Sequence, residues 1–160
     1  MLSVTLICVG KMREKYYTEA FAEYAKRLGA YCRFELVELP EQRLPERPSQ
    51  REIDAALEKE GQEIVKQTPR GAAVIAMCVE GRRMSSPALA QQLAAYANSG
   101  VSKLCFVVGG SFGLHPSVKQ AASLRLSMSD MTFPHHLARV MLAEQIYRAF
   151  TINEGTRYHK

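Results

Sequence analysis

The sequence predicts a single α/β domain: a mostly parallel sheet with helices on both faces. Strand-like apolar runs alternate with runs of helical period along the whole chain, the pattern of βαβ units. Two of the strand-like runs, 72–79 and 103–108, are almost wholly apolar, as in strands covered on both sides. The length of 160 residues, without internal repeat or linker, fits one domain, since domains usually hold roughly 100–200 residues. Hydrophobic residues make up 47% and charged residues 23%, which excludes a disordered or fibrous chain.

Each element has its own signal. Leu2 to Val9 is apolar and β-branched and stops at Gly10, so it reads as the first strand. Tyr17, Phe21, Tyr24 and Leu28 recur at helical spacing across Tyr16–Leu28. Tyr31 to Leu39 alternates, with Phe34, Leu36 and Leu39 set among charges, and Pro40, Pro45 and Pro48 then mark a loop. Ser49-Gln50-Arg51-Glu52 has the spacing of a capping box, in which hydroxyl and carboxylate each satisfy a free backbone N–H. It opens a polar helix to about Gln67. After the buried strand at 72–79, Ser86-Pro87 starts a helix, because proline in the first turn sacrifices no hydrogen bond. That helix runs to Asn98, with Gly100 as its stop. Lys103 to Val108 is the next buried strand and breaks at Gly109-Gly110-Ser111-Phe112-Gly113. A short helix near Pro116–Ala122, a short strand near Arg125–Met128, and a long helix from about Pro134 to Ile152 complete the chain.

The last helix is apolar around most of its circumference, from Leu137 to Phe150. A helix with one wet face shows a single apolar stripe. This one is expected to be covered on two sides, by its own sheet and by a second copy of the protein.

Charge divides the chain. Residues 1–68 sum to −1 and residues 69–160 to +6, so a polyanion would meet the second part. Cys8, Cys32, Cys78 and Cys105 show no C-x-x-C spacing, and three of them lie in apolar runs. They read as free thiols in a reducing compartment. The longest apolar run, Gly71–Val79, is too short for a bilayer. The first residues lack a basic segment ahead of their apolar ones, so they read as a strand rather than a signal peptide. A soluble, cytoplasmic protein with no membrane partner is expected.

Several chemistries fail on spacing. No G-x-G-x-x-G follows the first strand, and no phosphate-binding G-x-x-x-x-G-K-[ST] occurs. Ser111 lacks the G-x-S-x-G frame of a nucleophile elbow. His135 and His136 are adjacent and diverge on a helix, so they cannot clasp one metal, and no metal is expected. Three clusters remain. The Gly109–Gly113 loop follows a buried strand, at the end where α/β sheets bind ligands; it is either a tight turn or a close approach to ligand. Thr132-Phe133-Pro134-His135 leads into the last helix, with Arg139 four residues on and on the same face. Those two side chains form either a buried structural pair or a site for an anion or base. Arg157-Tyr158-His159-Lys160 is either a fraying end or a group able to stack on a base, exchange a proton and grip phosphate.

Phe106-Val-Val-Gly-Gly-Ser-Phe-Gly-Leu114, Leu126-Ser-Met-Ser-Asp-Met-Thr-Phe-Pro-His135, Arg139-Val140, Glu144-Gln145-Ile-Tyr-Arg-Ala-Phe150 and Tyr158-His159-Lys160 together resemble the RlmH (YbeA) family of small SPOUT-class methyltransferases, over essentially the whole chain. The resemblance implies S-adenosylmethionine as methyl donor. It implies a homodimer whose C-terminal part, about 70–160, forms a trefoil knot. It also implies methylation at N3 of a pseudouridine in 23S rRNA of assembled ribosomes. General chain-threading rules alone give instead an unknotted, flavodoxin-like sheet.

By the same resemblance, cofactor contacts fall on Met77, Gly109, Met128, Ser129, Asp130, Met131, Thr132 and Phe133. His135 and Arg139 line the same pocket, and Tyr158, His159 and Lys160 form a tail needed for activity. The chain departs from the family pattern at Met77-Cys78, where Leu-Asp is common, at Asp130, where Lys is frequent, and at His136, where Gln is frequent. His159 or His135 is then the general base. Lys160, Arg157 and Arg82-Arg83 are the phosphate contacts, and Tyr158 the stacking surface. Two rivals stay open: a nucleotide- or flavin-binding module without chemistry, and a ribosome-associated binding protein without catalysis.

Overall fold

The computed structural model describes residues 1–160. Five strands and five helices alternate: β1 (Ser3–Val9), α1 (Lys15–Leu28), β2 (Arg33–Leu39), α2 (Gln50–Gln67), β3 (Ala73–Arg83), α3 (Ser86–Asn98), β4 (Lys103–Val108), α4 (Pro116–Ala121), β5 (Leu124–Ser127) and α5 (His135–Asn153). All pairings are parallel, in the order β2-β1-β4-β3-β5. The expected α/β architecture is therefore present. A flavodoxin-like order would place β3 beside β1. Here β4 takes that place, with Leu6 facing Leu36 on one side and Phe106 on the other.

Two cores flank the sheet. On one face Val4, Leu6, Ile75, Leu104 and Phe106 pack against Phe21 and Leu28 of α1, Leu89 and Leu93 of α3, and Leu142 and Ile146 of α5. On the other, Ile7, Val9, Val107 and Cys105 meet Ile64 of α2 and Val118 of α4. Strands alternate side chains between faces, so β1 and β4, apolar on both, feed both cores.

The local signals operate as expected, with shifted edges. The Ser49 hydroxyl accepts the Glu52 N–H at 3.1 Å, and the Glu52 carboxylate accepts the Ser49 N–H at 3.1 Å. At α3 the cap is Ser85 rather than Ser86; its hydroxyl accepts the Ala88 N–H at 3.2 Å. Ser86 is instead the first helical residue, and its hydroxyl donates to Gln145 of α5 at 2.6 Å. The strand expected at 72–79 continues to Arg83. Its pairing with β5 shifts register between Met77 and Arg82, a bulge that carries a polar, exposed segment beyond the apolar run.

Helix α5 is the central helix of one face of the sheet. None of its residues from His135 to Ile152 is exposed within the single chain. α1 and α3 flank it, the sheet lies beneath it, and the C-terminal residues fold back along it. Its apolar circumference therefore has cover from its own fold, with Leu137, Met141, Tyr147, Phe150 and Ile152 left half-buried.

Candidate functional site

The neighbouring order β4-β3-β5 gathers three chain segments at the carboxyl ends of those strands. They enclose a cavity of about 380 Å³, within the roughly 300–1,000 Å³ usual for small-molecule sites. Its walls are the end of β3 (Met77 to Glu80), the glycine loop after β4, the segment after β5 (Met128, Ser129, Met131, Thr132, Phe133), and His135, Ala138 and Leu142 of α5.

The glycine loop has the tight turn the sequence allowed, and it lines the cavity. Gly110 and Gly113 form an isolated antiparallel bridge, with the Gly113 N–H donating to the Gly110 carbonyl at 3.1 Å. A Cβ at Gly109 would lie 2.3 Å from the Gly113 oxygen, and one at Gly110 would lie 2.6 Å from the Glu41 carboxylate. Glu41, from the loop after β2, accepts the Ser111 N–H at 2.9 Å and pins the turn from across the sheet.

The segment after β5 is shaped by its serines. Ser127 donates to the Ser129 carbonyl at 3.1 Å, and the Ser129 hydroxyl accepts the Met131 N–H at 3.0 Å. Of the eight expected cofactor contacts, Met77, Gly109, Met128, Ser129, Met131, Thr132 and Phe133 line the cavity, and Asp130 does not. Asp130 is exposed and paired with Arg83 of β3, so its charge is spent on the outer surface.

His135 and Arg139 separate. His135, the first residue of α5, lines the cavity. Burial holds its pKa below the ordinary histidine value of 6.5, and the neighbouring His136 and Arg139 push the same way against Glu41 and Glu14. His136 turns aside, its Nδ1 lying 3.0 Å from Glu14. Arg139 is wholly buried and does not line the cavity. It donates to Glu38 of β2 at 2.7 Å and to the Gly10 carbonyl at 3.0 Å, and its Nε has no partner. For Arg139 the fold builds a buried structural pair, with Glu38 rather than with His135, while His135 stays at the cavity. A guanidinium with no solvent contact must keep its counter-charge, and Glu38 also accepts the Met12 N–H at 2.9 Å.

The tail likewise lies outside its own chain's cavity. Tyr158 donates to Glu144 of α5 at 2.8 Å, and its ring lies 4.7 Å from that of Tyr147, under the Arg148 guanidinium. Burial and the Glu144 carboxylate push its hydroxyl up to about 12. His159 Nδ1 sits 3.1 Å from Arg148, and Lys160 is exposed.

A second cavity, of about 480 Å³, adjoins the first. Tyr24, Met84, Leu89, Met141 and Glu144 line it, and it shares Met77, Leu126, Ser127, Met128, Phe133 and Leu142 with its neighbour.

Sequence reasoning missed Glu38, Glu41, Phe112 and Lys119. Phe112 stood inside a quoted motif, whereas no local pattern marks the other three. Lys119 reaches the cavity from α4 and pairs with Glu80 at 2.5 Å. No group of three or more His, Cys, Asp or Glu is placed to hold a metal ion. No helix is long and apolar enough to cross a membrane.

A parallel sheet with a glycine-walled cavity at the carboxyl ends of three adjacent strands defines an α/β protein with a small-molecule-sized site where such sheets bind ligands. The sequence matches the family described as "Predicted SPOUT methyltransferase" over residues 2–159, and the chain belongs to that family. Among solved structures it resembles a probable methylase family protein from Haemophilus influenzae Rd KW20. The TM-score is 0.56 at 15% identity, covering 100% of this chain and 72% of the other, a likeness of fold.

Proposed function

We propose that this methyltransferase transfers a methyl group from S-adenosylmethionine to N3 of a pseudouridine in 23S rRNA of assembled ribosomes. In this reading it works in the cytoplasm as a homodimer with a knotted C-terminal part. The observation that carries the reading is the convergence of seven of the eight expected contact residues and His135 on one cavity. The cavity fits the donor in kind. It is mostly apolar, it has room for a small molecule, and the Gly109–Gly110 backbone forms part of its wall.

Met77, Gly109 and the residues 128–133 that line the cavity would hold the donor, which supplies an electrophilic methyl on a positively charged sulfur when bound. The protein's own task is to orient the acceptor and remove its proton. Holding two reactants in line can itself contribute several kcal/mol. His135 stands in the cavity wall, and its depressed pKa keeps it neutral near pH 7, as a general base must be. It accepts the imide proton of N3, freeing that nitrogen's lone pair to attack. His159, the other base considered, is engaged by Arg148. Arg139 acts as a positioning residue that ties the first turns of α5 to β2 and to Gly10. Because the tail lies away from its own cavity, a site completed by the partner's tail agrees with its position.

The test is mass mapping of the pseudouridines of 23S rRNA in ribosomes from cells with and without this protein. Loss of one methyl at a single pseudouridine is expected; an unchanged map overturns the reading. Titration with S-adenosylmethionine against FMN separates it from a flavin-binding module.

A further inference from the structure

Tyr158, the aromatic residue assigned to base stacking by sequence, is tucked beneath Arg148 and against Tyr147. Another aromatic ring is free at the cavity. Phe112 lines it and is 48% exposed, an unusual place for a phenyl ring. Its backbone is not free to drift. It sits between Gly110 and Gly113, which are bridged to each other, and next to Ser111, whose N–H is held by Glu41 at 2.9 Å. Two further apolar side chains stand open on the same cavity: Val79, 58% exposed, and Met131, 73% exposed.

The surroundings say what such a ring meets. Lys119 reaches the same cavity, where it pairs with Glu80, and Arg82 and Arg83 are exposed at the carboxyl end of β3 just beyond the cavity wall, Arg83 paired with Asp130. A rigidly held aromatic ring among cationic side chains is how single-stranded nucleic acid is gripped: bases stack on the ring, and the cations meet phosphate. The ring offers a face for one base, and Val79 and Met131 extend the apolar surface beside it.

We propose that Phe112 is the platform on which the acceptor base, or the base beside it, stacks at the cavity mouth, held in place by Glu41 through Ser111. This rests on the RNA-methylation reading above and adds to it the surface that receives the substrate.

The test compares wild type with Phe112→Ala and Phe112→Tyr, using ribosomes from cells that lack the protein as substrate. Base–aromatic stacking is worth enough that its loss should raise KM for ribosomes about tenfold. The affinity for S-adenosylmethionine, measured by calorimetry, should stay as in wild type, and the Tyr variant should behave like wild type. An unchanged KM in the Ala variant overturns the proposal. An equal loss of cofactor affinity would assign Phe112 to the donor instead, and dissociation of a dimer on substitution would assign it to a second copy. If wild type itself transfers no methyl to ribosomes, the methylation reading fails. Binding of a uridine-rich single-stranded RNA then decides: about tenfold weaker binding by Phe112→Ala alone supports the platform, and equal binding overturns it.

Discussion

Arg139 carries a permanent charge with no access to water, and Glu38 is the one carboxylate bonded to it. Breaking a buried pair from one side leaves the other charge uncompensated, at a cost of about 3–5 kcal/mol. Glu38 is 27% exposed, so Arg139→Met should fall toward the lower end, about 3 kcal/mol, in urea unfolding. Adding Glu38→Gln should restore part of that loss. His135 makes a different prediction. Its folded-state pKa lies below 6.5, so the neutral base survives mild acidification. Methyl transfer should therefore hold as pH falls to about 6.5 and drop only below it. His135→Ala should flatten that acid limb, and a limb unchanged by the substitution would remove His135 from proton transfer. At this scale the sequence was read unevenly. The spacing of His135 and Arg139 placed both on one helix face. Whether Arg139 met an anion or a carboxylate depended on Glu38, 101 positions away, which no local pattern reveals.

The elements were more legible than their joints. Apolar runs and caps located every strand and helix to within a few residues, because burial and capping act locally. The extension of β3 was not legible. Its outer residues from Val79 to Arg83 are polar or exposed, and they remain a strand because β5 pairs with them across a bulge. Gly81 makes that pairing possible. A Cβ there would lie 2.8 Å from the Leu126 backbone. Backbone cannot swing aside like the end of a long side chain, so Gly81→Ala should cost about 1–3 kcal/mol, read as a lower melting temperature. It should also weaken cofactor binding, since Leu126 and Ser127 line the cavity. In α5 the periodicity was read correctly as a helix covered all round, but period alone does not say by what. Within the chain it is covered by the sheet, α1, α3 and the returning tail.

For the whole molecule, the order β2-β1-β4-β3-β5 is the decisive fact. It sets the loops after β4 and β5 beside the end of β3, so segments as far apart in the chain as Met77 and Leu142 wall one cavity. The alternation of strands and helices predicts a parallel sheet but does not fix strand order, which depends on long-range packing. The tail's role also belongs to this scale. Removal of Tyr158–Lys160 is expected to spare binding of S-adenosylmethionine, because those residues rest on Glu144 and Arg148 rather than on the cavity. Methylation of ribosomes should be lost, and full activity after the deletion would take the tail out of the reaction. The two adjoining cavities carry a last consequence. Met77, Leu126, Ser127, Met128, Phe133 and Leu142 belong to both, so the same side chains face two voids and form the partition between them. A wedge-shaped compound seated in the neighbouring void would push that partition inward and, on the proposed function, shut the methyl donor out without competing for its seat.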